Sequence, residues 1–208
     1  MCVLQICATL HDDAQGIGIQ VEGRPSGTVK WGLIGRHNAS NALAATAAAA
    51  HVGISVISAC EALSGFKGVK RRLETLSCIK GISLYDDFAH HPTEISATLS
   101  ALRKKAGTGR IIAIMEPRSN TMRMGVHRHT LADAFAAADQ VMFYQPDNLT
   151  WDLKSETGGL GDKREIFTRI DDIIAGIARM AKPGDHVIIM SNGSFGGIQQ
   201  RLIDTLQT

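Results

Sequence analysis

The sequence has 208 residues, 44% hydrophobic and 20% charged, a balance that suits a globular chain with one or two cores of ordinary domain size. Its net charge is only +2 and no long basic run occurs, so the electrostatic footprint of a nucleic-acid binder is missing. No window approaches the roughly 20 apolar residues of a membrane span, and residues 1–10 lack a charged start followed by a long apolar stretch. The chain is therefore expected in the cytoplasm, without a nucleic-acid or membrane partner.

Taken in chain order, residues 3–9, 17–22 and 28–33 read as three short strands. Residues 38–51 are dominated by alanine and are helical on propensity, with Gly53 ending the helix and a second helix over 55–63. Residues 65–69 read as a hinge or linker. Three strands and two helices bury little apolar surface for their size, so the first 65 or so residues are expected to be the tail of a larger domain. Residues 73–79 and 82–86 flank Lys80-Gly81, a hairpin turn, and Pro92 opens a helix that runs to Lys105 before Gly107. From residue 110 onward apolar runs alternate with helical periods: strands at 111–115, 141–144 and 186–190, helices at 128–138, 171–180 and 198–206. That alternation predicts βαβ units and a mostly parallel sheet covered on both faces, with ligands beyond the carboxyl ends of the strands.

Cys2, Cys7, Cys60 and Cys78 have neither zinc-site spacing nor the density of a disulfide scaffold, and they read as buried reduced thiols. Residues 35–43 place His37, Asn38 and Asn41 where a strand gives way to a helix. Free backbone N–H groups and short amides there suit a nucleotide or serve only as a cap. Arg72 offers bidentate geometry for phosphate, and Asp87 is a strand-end carboxylate suited to ribose hydroxyls; an exposed ion pair is the plainer use of both. His90 and His91 are adjacent on an extended segment and point apart, and His127 and His129 do not share a helical face. No metal site is expected from them. Residues 193–197 are either a loop whose N–H groups receive a carboxylate or a helix-entry turn.

Three ordered motifs, Arg36-His37-Asn38 at a helix start, Arg71-Arg72-Leu73-Glu74, and the loop from Asp86 to Glu94, resemble the Mur ligase family. The resemblance extends over residues 32–208. Residues 115–122 and 189–198 are similar to its murein-recycling branch, which joins a tripeptide to UDP-N-acetylmuramate. The L-alanine-adding branch has a His-Arg-Tyr-Thr-Arg run where this chain has Arg118-Ser119-Asn120-Thr121-Met122.

The resemblance implies an α/β fold: a Rossmann-like carboxyl-terminal Mur ligase domain with a mostly parallel sheet over residues 69–208, preceded at 1–68 by the tail of a central ATP-binding domain. It implies ATP and Mg2+ as cofactors, with UDP-N-acetylmuramate and the tripeptide L-alanyl-γ-D-glutamyl-meso-diaminopimelate as partners. His37, Asn38 and Asn41 would lie near adenine, Asp87 at the ribose and Arg72 near the nucleotide. Catalysis would fall to His90 and Arg72. The acceptor would meet His90, His91, Arg118, Ser119, Asn120, and the run Ser191, Asn192, Gly193, Ser194 and Phe195. The 208 residues contain no glycine-rich loop ending in Lys-Ser or Lys-Thr to cradle ATP phosphates, and no counterpart of the family's magnesium-holding residues. The chain is accordingly expected to be a piece of the ligase, inactive alone. An L-alanine-adding ligase and a noncatalytic nucleotide- or peptide-binding module are the alternatives.

Overall fold

The computed structural model describes residues 6–10 and 16–208, arranged as two compact units, Met1–Gly68 and Val69–Thr208. Cys2 and the first part of the strand expected at 3–9 lie outside the described residues.

In the amino-terminal unit, strands β1 (Ile6–Leu10), β2 (Ile17–Val21) and β3 (Arg24–Val29) form an antiparallel sheet in that order. The third strand begins four residues before the expected 28. Glu22 and Gly23 both take positive φ (49° and 76°), which makes a two-residue hairpin turn whose twist matches the strands and pairs Arg24 with Val21 at once. Pro25, a residue type that central strands exclude, pairs with Gln20 beside the register shift between Ile19 and Gln20, in an edge strand where proline is tolerated. Helices α1 (Arg36–His51) and α2 (Val56–Ser64) supply Ala39, Ala42 and Cys60 to a core with Ile17, Ile19 and Val29. A Cβ at Gly27 would stand 2.7 Å from Cys60 Sγ, so α2 and β3 meet almost backbone to side chain, whereas in α1 only Ala39 and Ala42 of the alanines are buried. Cys60 is buried, and burial pushes its thiol pKa up; Cys7 and Cys78 are exposed, against expectation, because each lies on the open face of an edge strand.

The carboxyl-terminal unit opens with β4 (Glu74–Ile79) and β5 (Ile82–Asp87), joined through Lys80 and Gly81, both at positive φ (50° and 80°). Helix α3 (Pro92–Ala106) follows, with proline in its first turn, Glu94 near the positive end of its dipole and Arg103, Lys104 and Lys105 near the negative end. Next come β6 (Ile111–Met115), the short α4 (Asn120–Arg123), α5 (Arg128–Ala134), β7 (Gln140–Tyr144), α6 (Leu153–Glu156), β8 (Arg164–Phe167), α7 (Ile170–Met180), β9 (His186–Met190) and α8 (Ile198–Gln207). The sheet order is β4-β5-β9-β6-β7-β8, with β4 antiparallel to β5 and every other pairing parallel. This is the Rossmann-like architecture expected.

All five residues of β6 are buried, and alternate residues of the central strands feed two cores. Ile111, Ala113 and Met115 pack with Leu99, Phe135 and Phe143 on one face; Ile112 and Ile114 pack with Ile173, Ile177 and Leu202 on the other. The sequence expectations also fail at one helix end and at one strand. The helix expected over 128–138 ends at Ala134, because tight turns through Phe135 (Ala136 N–H to Asp133 O, Ala138 N–H to Phe135 O) drive that ring into the core. They also bring the Asp139 carboxylate to the Ile111 N–H at 2.7 Å. The strand β8 was not anticipated, since Arg164-Glu165-Ile166-Phe167 is short and half charged, the usual character of an edge. Phe143 is fully buried and meets Phe135 edge to face at 5.2 Å. Phe143→Ala is expected to lower unfolding free energy by about 3–5 kcal/mol; urea melts of both chains measure it, and a loss under about 1 kcal/mol would mean the core closes around the gap.

Candidate functional site

The residues singled out in the amino-terminal unit lie at the start of α1. Gly35, at φ 97°, occupies the N-cap position without a side-chain cap. Asn38 is held locally: its Nδ2 donates to Ile34 O at 2.8 Å, fastening the incoming loop to the first turn. His37 and Asn41 are exposed.

In the carboxyl-terminal unit the remaining candidates gather beyond the carboxyl ends of β5, β9 and β6. The chain leaves β5 through α3 to one face of the sheet and returns to β9 through α7 on the other, so these three ends border a topological switch point. Their hydrogen-bond ladder continues past the strands: Ser191 N–H donates to Asp87 O at 3.2 Å and Glu116 N–H to Met190 O at 3.1 Å.

The segment before β4 is not the strand expected from 73. Arg71 and Leu73 take positive φ (59° and 48°), a costly conformation for residues with a Cβ, and the bonds around them show what holds it. Asp87 accepts Leu73 N–H at 2.6 Å and Ala89 N–H at 2.7 Å, with Thr98 Oγ1 at 3.5 Å. Only 3% exposed, it spends its oxygens on the chain itself; burial pushes its pKa up, while the Ala89 and Leu73 N–H groups and Arg72 pull it down. Asp86 is also buried, paired with Arg71 Nε at 3.2 Å and with Gln199 Nε2 at 3.2 Å; burial again raises its pKa against those bonds. Arg71 reaches further, donating from Nη2 to Ser191 O, and its guanidinium stands 5.3 Å from the Phe88 ring. Arg72, the arginine chosen from the sequence, is exposed, its guanidinium 5.6 Å from the same ring. Arg71 was passed over because two adjacent arginines carry no sign of which one folds inward.

Between β6 and β9 lies a linkage the sequence did not reveal. Ser191, fully buried, donates from Oγ to Glu116, itself 8% exposed, and accepts the Gly193 N–H at 2.9 Å on the same oxygen. Gly193 in turn lies under Arg118: a Cβ there would stand 2.5 Å from Arg118 Cδ and nearer still to Nη1. Arg118 itself is exposed. Ser119 caps α4 through the Met122 N–H, and Asn120 Oδ1 accepts from Arg123 at 2.6 Å. Trp151, in the loop after β7, ties this segment down from Nε1 to Met122 O at 2.6 Å. The N–H groups expected to greet a carboxylate are partly spent, Gly193 on Ser191 and Gly197 on Ser194 O. Asn192 Oδ1 is buried without a hydrogen-bond partner. Phe195 is buried at φ 44°, followed by Gly196 and Gly197 at 56° and 68°, which turns the chain sharply into α8.

The histidines divide as their adjacency implies. His90 Nδ1 lies 3.0 Å from Phe88 O and 3.4 Å from Glu94 Oε2. His91 caps α3, accepting Thr93 N–H on Nδ1 at 3.3 Å, and its ring meets that of His127 at 4.1 Å between centroids. Burial first, and His91 second, lower the His127 pKa. The fold thus favours neutral His127: its contribution is complete above the ordinary imidazole pKa of about 6.5 and is lost as pH falls through the lowered value. His127 ring signals are expected to titrate below that ordinary value and to move up toward it in His91→Phe; an unchanged titration would exclude electrostatic coupling between the rings.

Residues 71–193 match the family described as Mur ligase, glutamate ligase domain. A Haemophilus influenzae protein named UDP-N-acetylmuramate--L-alanyl-gamma-D-glutamyl-meso-2,6-diaminoheptandioate ligase is 45% identical over 199 residues, 95% of this chain and 44% of that one. A Caldicellulosiruptor bescii UDP-N-acetylmuramate--L-alanine ligase is 35% identical over 174 residues, 79% of this chain and 38% of its own. Among solved structures, a murein peptide ligase from Psychrobacter arcticus 273-4 is 42% identical with a TM-score of 0.73, covering 98% of this chain and 44% of that one. The chain spans less than half the length of these curated relatives. On the extent of the matched domain and on these identities, the chain belongs to the Mur ligase family.

Proposed function

We propose that the chain is the acceptor-handling part of an ATP-dependent ligase that joins L-alanyl-γ-D-glutamyl-meso-diaminopimelate to UDP-N-acetylmuramate, with the tripeptide held at the carboxyl ends of β6 and β9. The observation that carries this reading is the juxtaposition of exposed Arg118 with Gly193 across two neighbouring parallel strands. A planar guanidinium beside a tight backbone loop suits a carboxylate, and the tripeptide carries several at neutral pH. The greater identity to the tripeptide ligase than to the L-alanine ligase supports the choice of acceptor.

In this reaction ATP converts the muramoyl carboxylate to an acyl phosphate, and the amino group of the tripeptide attacks it to release phosphate and form an amide. The work left to this chain is positioning. Exposed His37 and Asn41, with Asn38 bracing the helix start, suit the base end of the nucleotide rather than its phosphates. Arg72 would face the nucleotide while Asp87, its oxygens engaged by Leu73 and Ala89, would hold the Arg72 segment in place instead of meeting the ribose directly. Magnesium bound with the nucleotide would take its protein ligands mainly from outside this chain, since the 208 residues hold no counterpart of the family's magnesium-holding residues. His90 and His91 would border the acceptor from the α3 side, with Ser119, Asn120 and the run Ser191, Asn192, Gly193, Ser194 and Phe195 completing its surroundings.

Titrating the tripeptide into the 15N-labelled chain is expected to shift the backbone amides of Arg118 and Gly193 at millimolar ligand, whereas L-alanine does not. Shifts confined to distant residues, or equal shifts with L-alanine, would defeat the tripeptide assignment. Given ATP, UDP-N-acetylmuramate and tripeptide together, the chain alone is expected to release no phosphate, having no loop to hold the β- and γ-phosphates. Phosphate release that depends on both UDP-N-acetylmuramate and the tripeptide would overturn that division of labour.

A further inference from the structure

We infer that Glu116 is a positioning residue for acceptor recognition: acting through Ser191 and Gly193, it fixes the backbone surface on which the Arg118 guanidinium lies. The inference rests on the tripeptide reading above and adds to it a residue that need not touch the ligand.

Glu116 and Ser191 are the first residues beyond β6 and β9, whose last residues, Met115 and Met190, are register partners. The ladder bonds from Glu116 N–H to Met190 O and from Ser191 N–H to Asp87 O hold both backbones, so the two side chains are brought together by the sheet itself. A carboxylate can only accept. Ser191 must therefore turn its single O–H toward Glu116, which leaves its lone pairs for the Gly193 N–H. Without Glu116 that hydroxyl is free to rotate, and the Gly193 N–H loses an acceptor of fixed direction. A third bond, from Arg71 Nη2 to Ser191 O, prevents Ser191 from drifting as a whole, so Glu116 controls its hydroxyl rather than its place.

Arg118 feels this linkage twice. Buried Pro117 is all that separates it from Glu116 along the chain, and Gly193 leaves no room for even a Cβ beneath its side chain. Among the described residues Arg118 has no ion pair of its own to orient it, so the Gly193 backbone is its support. Burying a carboxylate is costly unless it is hydrogen-bonded, and an apolar side chain would fill the same space at lower cost. Supporting shells of this kind are what keep a recognition group within reach of its productive geometry.

The test is 15N NMR of the 208-residue chain and its variants, without ligand and then with the tripeptide. Glu116→Ala is expected to displace the Gly193 amide and the Arg118 Nε–H signals before any ligand is added, and to weaken tripeptide binding by about tenfold, the size of one charge-assisted hydrogen bond. Glu116→Gln keeps a neutral acceptor and is expected to restore binding to within about threefold. Ser191→Ala removes both bonds with one hydroxyl; it carries the same expectation as Glu116→Ala and replaces it should that variant not fold. Unmoved Gly193 and Arg118 signals in the ligand-free variants overturn the inference, as does binding that stays at the parent level once those signals have moved. Failure of Gln to rescue would likewise sink it, since a neutral acceptor at the same place still orients the Ser191 hydroxyl. If the parent chain shows no tripeptide shifts, the acceptor reading fails by itself, and the ligand-free signals still decide whether Glu116 governs Gly193 and Arg118.

Discussion

Parallel strands that end in step with one another put three separate loops at one height, and here that condition is enforced past the strands themselves. The bonds from Ser191 to Asp87 and from Glu116 to Met190 extend the β5, β9 and β6 ladder by one residue each. Apart from Arg72, which precedes β4, every candidate side chain of the carboxyl-terminal unit sits at or follows one of those three ends. Were β9 to slip by one residue, Ser191 would face the opposite layer, and its bonds to Glu116 and Gly193 would go with it. The two apolar layers oppose such a slip, because Ile188 and Met190 fill one and Val187 and Ile189 the other.

Buried polarity is concentrated at that same edge. Asp86, Asp87, Glu116 and Ser191 are all buried, while the adjoining strand residues are apolar. Each has a defined partner: Asp86 has Arg71 and Gln199, Asp87 has two backbone N–H groups, and Glu116 has Ser191. Such networks contribute little net stability, because desolvation offsets most of the attraction; what they supply is a single arrangement, since a displaced partner leaves an unpaired buried group. The positive φ at Arg71, Leu73 and Phe195 belongs to this pattern. Left-handed backbone at non-glycine positions costs on the order of 1–3 kcal/mol each and persists where surrounding bonds over-determine it.

The two units differ in how much of their function they display. The amino-terminal unit offers a helix start with little side-chain capping, and the carboxyl-terminal unit offers a dense arrangement around Arg118 and Gly193.

Local patterns in the chain were sufficient for the periodic elements. The buried run from Ile111 to Met115, the proline that opens α3 and the Lys80-Gly81 turn are decided by steric and hydrophobic preferences within a few residues. The ordered motifs around Arg36, Arg72 and Asp86 carried the family resemblance, and the segments around Arg118 and Ser191 the resemblance to one branch, for the same reason: short spacings survive as text. The tertiary structure decided where partners come from distant parts of the chain. It selected Arg71 over Arg72 for the inward position, because Asp86 and Ser191 wait there, 15 and 120 residues away. It turned Asp87 toward backbone N–H groups on either side of it, and it ended α5 early to bury Phe135. It also joined Glu116 to Ser191 across 75 residues, a contact that exists only because β9 inserts between β5 and β6. Sequence spacing determines which side chains share a strand or a helical face; the order of strands in the sheet determines which of them meet.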